Sequence, residues 1–264
     1  MRHRTRLLVL LGAALSAGAA FSSCNGLSPF EAGDPQPDPG PPFSDDRIPL
    51  TQLGSGTYLG FEGGLYPGGS NEPPADHAAA GRQALALIEP LDILGRRAPG
   101  GRIVLVSVGM SNTTQEFCSQ GGGRPCDPWA FVGQAAADPA VDTTTLALVN
   151  GARGGQAADT WDSPAESNYN LVRDRWLTPL GLSEAQVQVA WVKQANPRPT
   201  VSLPDPGADA FQLERSLGAI VRAMKARWPN LRIVFLSSRI YGGYAESMPN
   251  PEPYATRRRS RSSG

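Results

Sequence analysis

The feature that most constrains the fold is the alternation of short β-branched apolar runs with amphipathic helical stretches. Residues 102–109 read RIVLVSVG, an almost unbroken apolar run ending at glycine. A strand that is apolar on both sides must be covered on both sides, which is the condition of a parallel sheet. Residues 145–150 (TLALVN), 187–192 (VQVAWV) and 231–237 (LRIVFLS) repeat the pattern. Helical periodicity fills the gaps. Residues 76–94 place Ala80, Ala84, Leu87, Ile88 and Leu91 at helical spacing, with Pro90 expected to disturb the end. Residues 168–177 set Leu171, Val172 and Trp176 on one side. Residues 209–228 give the clearest helix. Phe211, Leu213, Leu217, Ile220, Val221 and Met224 form its apolar face, and Pro229 stops it. This order predicts parallel pairing and a three-layer αβα domain. No internal repeat is present.

Composition narrows the function. The 264 residues carry 24 basic and 24 acidic side chains, and 40% are hydrophobic. That is enough for one sizeable core. Balanced charge argues against nucleic-acid binding, which draws its affinity from excess Lys and Arg. Arg2, Arg4 and Arg6 precede an apolar stretch at 7–20, which reads as a secretory signal and is short for a membrane span. Residues 21–24 (FSSC) resemble a lipobox, with Phe where Leu is usual, and this would make Cys24 a lipid anchor. Ordinary cleavage after a small-x-small site such as 17–19 is the alternative. One lipid group would tether the chain without spanning the membrane. Residues 25–50, with DPQPDPGPP at 34–42, form an extended proline-rich linker. The expected location is therefore outside the cytoplasm, as a cell-envelope lipoprotein or a secreted protein. Cys118 and Cys126 flank a glycine-rich segment, and an exported chain favours a disulfide between them over free thiols or metal ligands. No histidine lies nearby to complete a zinc site.

Ligands bind at the carboxyl ends of the strands in such sheets, so the residues just after each strand matter most. After the first comes Gly109-Met110-Ser111-Asn112-Thr113-Thr114. A serine at this turn can present its hydroxyl at the sheet edge, with helix amides behind it. It can equally cap the helix that follows. After the second strand comes Asn150-Gly151-Ala152-Arg153-Gly154-Gly155-Gln156. Paired glycines let backbone amides approach a ligand or simply make a turn. The Gly-Lys-Ser/Thr of a phosphate loop is missing, which excludes that mode of nucleotide binding. After the third comes Lys193-Gln194-Ala195-Asn196-Pro197, where the carboxamide could donate to an oxyanion or begin a turn.

In order, these three segments resemble the first three blocks of the SGNH (GDSL-type) hydrolase superfamily, an uncharacterised exported bacterial branch. VSVGMSNTTQEF resembles its serine block, with Met110 where aspartate is usual. VNGARGG resembles the glycine block, with Gly155 at the block position, and WVKQANP resembles the Gly-x-Asn-Asp block, with Asn196 at the first asparagine. The flanking GGLYPGGSN and SSRIYGGY add to the likeness, which covers residues 55–255 or so. The resemblance implies a parallel flavodoxin-like sheet and a serine esterase that needs no cofactor or metal. Ser111 would be the nucleophile. Its backbone amide, the Gly155 amide and the Asn196 side chain would surround the oxyanion. The substrate would be a small-molecule or carbohydrate ester, and a monomer is expected.

The family's closing Asp-x-x-His block, which supplies the general base, has no counterpart. The histidines are His3, in the signal, and His77, before the first core strand. A histidine at a helix start needs no special role, and the family order puts the base after the nucleophile. Residues 256–264 (TRRRSRSSG) change composition abruptly and cannot form a strand or core helix. The expectation is a hydrolase-like domain at 51–255 whose C-terminal part is missing, followed by a basic disordered tail. Activity should be weak or absent. The rival expectation is a surface module that binds glycan without turnover, with Trp129, Trp161 and Trp191 available for sugar stacking or for the core.

Overall fold

The computed structural model describes residues 50–119, 125–197, 200, 201 and 203–237. The expected signal, Cys24, His3, nearly all of the linker and the basic tail lie outside the described residues. The fold is mixed α/β around a parallel four-stranded sheet.

The chain enters through a two-residue antiparallel pair, β1 (Thr57–Tyr58) and β2 (Phe61–Glu62), and helix α1 (Ala75–Ala86). Helix α1 ends well short of Pro90, because the residues from Leu87 onward turn to meet the sheet. Leu91 bridges to both Arg97 and Arg102. The core strand β3 (Ile103–Gly109) is buried along its whole length, as its composition requires. Helices α2 (Ser111–Phe117) and α3 (Phe131–Ala137) lead to β4 (Leu146–Val149). Helix α4 (Ser167–Leu171) leads to β5 (Val187–Lys193), and α5 (Asp209–Arg227) to β6 (Ile233–Leu236). The sheet order is β4-β3-β5-β6.

Alternation along β3 divides the core in two. Val104, Val106 and Val108 face one layer, where Tyr169, Val172 and Leu177 meet Leu213, Ile220, Met224, Trp161 and Trp228. Ile103 and Leu105 face the other, against Ile88, Phe117, Phe131 and Val132. Helices α2 and α3 cover one face, and α4 and α5 the other. Right-handed crossovers demand this. The path steps from β3 to β4 in one direction, then reverses past β3 to β5 and on to β6, so the helices change face.

One expectation about this core needs correction, that for Trp176, and of the two roles open to Trp161 the core one holds. Trp176 is 47% exposed and does not share a buried side with Val172. The segment Val172–Leu177 is a π-helix, whose i→i+5 bonding places Leu177 beneath Val172 and turns Trp176 outward. Trp161 is 0% exposed, edge-on to Tyr169 at 5.3 Å between ring centres, and is unavailable to a sugar. Tyr169 donates its hydroxyl to the Trp161 carbonyl at 2.7 Å and meets Trp228 edge-on at 5.7 Å. Burial, with Asp162 nearby, pushes that hydroxyl well above its ordinary pKa, so it stays a donor.

Ile220 lies at the centre of this layer with no exposed surface. Ile220→Ala should lower unfolding free energy by about 2–5 kcal/mol, read as a lower urea midpoint with an unchanged slope. A loss within about 0.5 kcal/mol would mean that α5 is not packed against the sheet.

Candidate functional site

The strand order creates a topological switch point between β3 and β5. The chain leaving β3 passes to the face covered by α2, and the chain leaving the adjacent β5 passes to the face covered by α5. Neighbouring strands whose exits diverge define the switch point where open α/β sheets bind ligands. Ser111 is the first helical residue after β3, and Asn196 lies three residues after β5, so the two flank this point. Gly155 lies in the loop after β4, on the other side of β3.

Ser111 is exposed. As the first residue of α2, its backbone amide has no partner within the helix. A β-carbon placed on Gly154 would stand 3.8 Å from the Ser111 β-carbon, so the glycine loop lies close to the serine. The approach is anchored by the Arg153 amide, which donates to the Gly109 carbonyl at 3.0 Å. Arg153-Gly154-Gly155-Gln156 closes as a β-turn, with the Gln156 amide bonded to the Arg153 carbonyl at 3.2 Å. Gly155 has φ +77° and Gly154 has no such positive value, the signature of a type II turn with glycine at its third position. That turn consumes the Gln156 amide, while the Gly155 amide has no hydrogen-bond partner among the described residues. A β-carbon on Gly155 would meet nothing within 4 Å, so open space lies beside it.

Asn196 sits on the same rim but is turned inward. It is 6% exposed, and its Nδ2 donates to the Asp209 carbonyl at 3.0 Å. A carboxamide nitrogen carries two hydrogens, and the second has no partner among the described residues. Its loop is tied to the glycine loop by the Ala158 amide on the Ala195 carbonyl at 3.0 Å. The structure thus places the Gly154–Gly155 turn close to Ser111 and Asn196 on the neighbouring loop, with its amide partly spent.

The scaffold beneath contains polar residues that sequence reasoning missed. Asn150 accepts from Ser107 Oγ at 2.9 Å and donates to the Thr114 carbonyl at 2.9 Å, tying the glycine loop to α2. Lys193 Nζ donates to both carboxylate oxygens of Glu116. The available signals were a serine inside an apolar strand and a lysine at the end of another. Cys118 and Cys126 form the expected disulfide just beyond α2. His77 is exposed on α1, with its ring 5.9 Å from that of Tyr66. Trp191 stacks on Phe117 at 5.9 Å and donates its indole N–H to Ser237 Oγ, whereas Trp129 is 57% exposed. A separate groove of about 330 Å³, lined by Val132, Val141, Leu146 and Leu182 among others, runs beside the edge strand β4 and includes none of the three rim residues. Among the described residues no helix is long and apolar enough to cross a membrane.

The chain matches no family model, no curated protein and no solved structure. The reading of the rim therefore rests on its own geometry.

Two glycine substitutions separate conformation from packing. At Gly155 the space is open and only the positive φ resists a side chain, so Gly155→Ala should cost about 1–2 kcal/mol. At Gly109 a β-carbon would lie 2.3 Å from the Lys193 carbonyl and from Thr113 Oγ1. Gly109→Ala should destabilise more than Gly155→Ala in urea titrations. The reverse order would contradict this account of the rim.

Proposed function

We propose that the chain is an SGNH-type serine ester hydrolase domain, carried outside the cytoplasm and acting on a small-molecule or carbohydrate ester. The support for this reading is the nearness of Ser111 to a glycine turn whose Gly155 amide has no hydrogen-bond partner among the described residues. Attack of a serine oxygen on an ester carbonyl creates an oxyanion, and uncommitted amides beside the nucleophile are what that charge needs. The strand order supports the reading too. With β3 counted first, it is 2-1-3-4, as in flavodoxin-like sheets.

In the proposed mechanism Ser111 Oγ attacks the carbonyl carbon and gives up its proton, the C–O bond to the alcohol breaks, and the departing alkoxide takes up that proton. The amides of Ser111 and Gly155 and the remaining Asn196 hydrogen stabilise the tetrahedral intermediate. Water then releases the acid. The sequence holds no histidine after Ser111, so no histidine in the family's order is present to take the serine proton. In a subtilisin-type enzyme, loss of the base costs roughly 10⁶ in rate and leaves about 10³–10⁴ over water. The chain should accordingly show only slow turnover, and only of esters with good leaving groups.

Slow hydrolysis of p-nitrophenyl acetate is expected, lost in Ser111→Ala, with Ser111-dependent labelling by a fluorophosphonate. Equal rates in the two proteins would remove Ser111 from the reaction. The rival reading, glycan binding without turnover, draws on the exposure of Trp129. It predicts an oligosaccharide affinity that falls by about tenfold in Trp129→Ala, with no labelling of Ser111.

A further inference from the structure

We infer that Lys193 is a positioning residue, setting the helix that carries Ser111 against the strand that leads to Asn196. The inference rests on the reading of Ser111 as nucleophile. After a register shift between Val104 and Leu105, strands β3 and β5 stay in step from the Leu105–Val189 pair to Gly109 and Lys193, the last pair of the ladder. Beyond it the two chains part to opposite faces of the sheet. Lys193 spans the divergence. Its Nζ donates to both oxygens of Glu116, at 2.7 and 2.6 Å, and its carbonyl accepts from Thr113 Oγ1 at 2.7 Å. Thr113 and Glu116 both belong to α2, whose first residue is Ser111.

A helix of seven residues has little stability of its own, so tertiary bonds set its place. Three of these involve one residue, Lys193. The lysine side chain is 5% exposed and the glutamate 27%. An ammonium group so deeply buried is costly, and an apolar side chain would fill the end of this strand at lower cost. What the ion pair adds is direction. Paired donors and acceptors define one register of helix against strand, whereas methylene contacts permit sliding. Asn196 follows Lys193 by three residues, so the same residue governs the spacing of the two rim groups across the switch point.

The test replaces both charges together, Lys193→Met with Glu116→Met, so that no unpaired charge stays buried. Wild type, Ser111→Ala and the double variant are compared by amide hydrogen exchange and by hydrolysis of p-nitrophenyl acetate. In the double variant, exchange across 111–117 should quicken by roughly tenfold while β3 and β5 keep their protection. The Ser111-dependent kcat should fall by roughly tenfold or more with KM unchanged, since small misplacements of reacting groups are expensive. Glu116→Gln, which keeps an acceptor but not the charge, should fall between, and it replaces the double variant if that protein does not fold. Unchanged protection of α2 overturns the inference. So does lost protection with an unchanged kcat. A wild-type rate equal to that of Ser111→Ala defeats the nucleophile reading instead, and the exchange result alone then decides whether Lys193 holds α2.

Discussion

The rim depends on the close approach at Gly109. Here the end of β3, the carbonyl of Lys193 and the side chain of Thr113 occupy space that a β-carbon would need. Because that carbon is missing, α2 can fold back directly against β5, and Thr113 can satisfy the buried Lys193 carbonyl. The Gly109 carbonyl receives the Arg153 amide, which brings the glycine turn to the serine. Gly151 repeats the device one strand over, where a β-carbon would lie 2.7 Å from the Ser107 carbonyl. Backbone crowding at strand ends, bought with glycine, is what places three loops within reach of one another.

The polar groups below the rim are arranged to resist displacement of α2. Asn150 holds it from the β4 side, and Lys193 with Glu116 from the β5 side. Phe117 closes the arrangement beneath, packed against Phe131 and Trp191. Helix α2 is thus braced on two flanks and anchored at its foot, while its first residue stays exposed. Such an arrangement suits a group whose position matters more than its burial.

Much of the fold was legible in sequence because its cause is local. Apolar runs at 102–109 and 187–192 read as buried strands since no other element tolerates them, and the 209–228 helix shows its face in six residues. The disulfide was legible because a short glycine-rich segment keeps two cysteines close. What could not be read depends on distant partners. The π-helical widening at Val172–Leu177 moves Trp176 to solvent, and nothing in that stretch announces it. Helix α3 was missed because Phe131–Ala137 is short and gains its helicity from packing under β3 and β4. The three rim residues were found from their places after strands. The inward turn of Asn196 was not, because its partner is a carbonyl at the start of α5, thirteen residues on. The Lys193–Glu116 pair was hidden for the same reason, being joined only once the sheet forms.

The groups that shape the rim are also groups that hold the fold. Gly109, Thr113, Asn150 and Lys193 all bond partners on neighbouring elements, and the buried bond from Thr113 to the Lys193 carbonyl would leave an unpaired group if lost, at a cost of about 1–3 kcal/mol. A group that takes up a proton has no such structural duty. Folding stability therefore maintains the turn and the exposed serine whatever the reactivity of Ser111 Oγ, which depends on where its proton goes and not on how well the surrounding loops are packed.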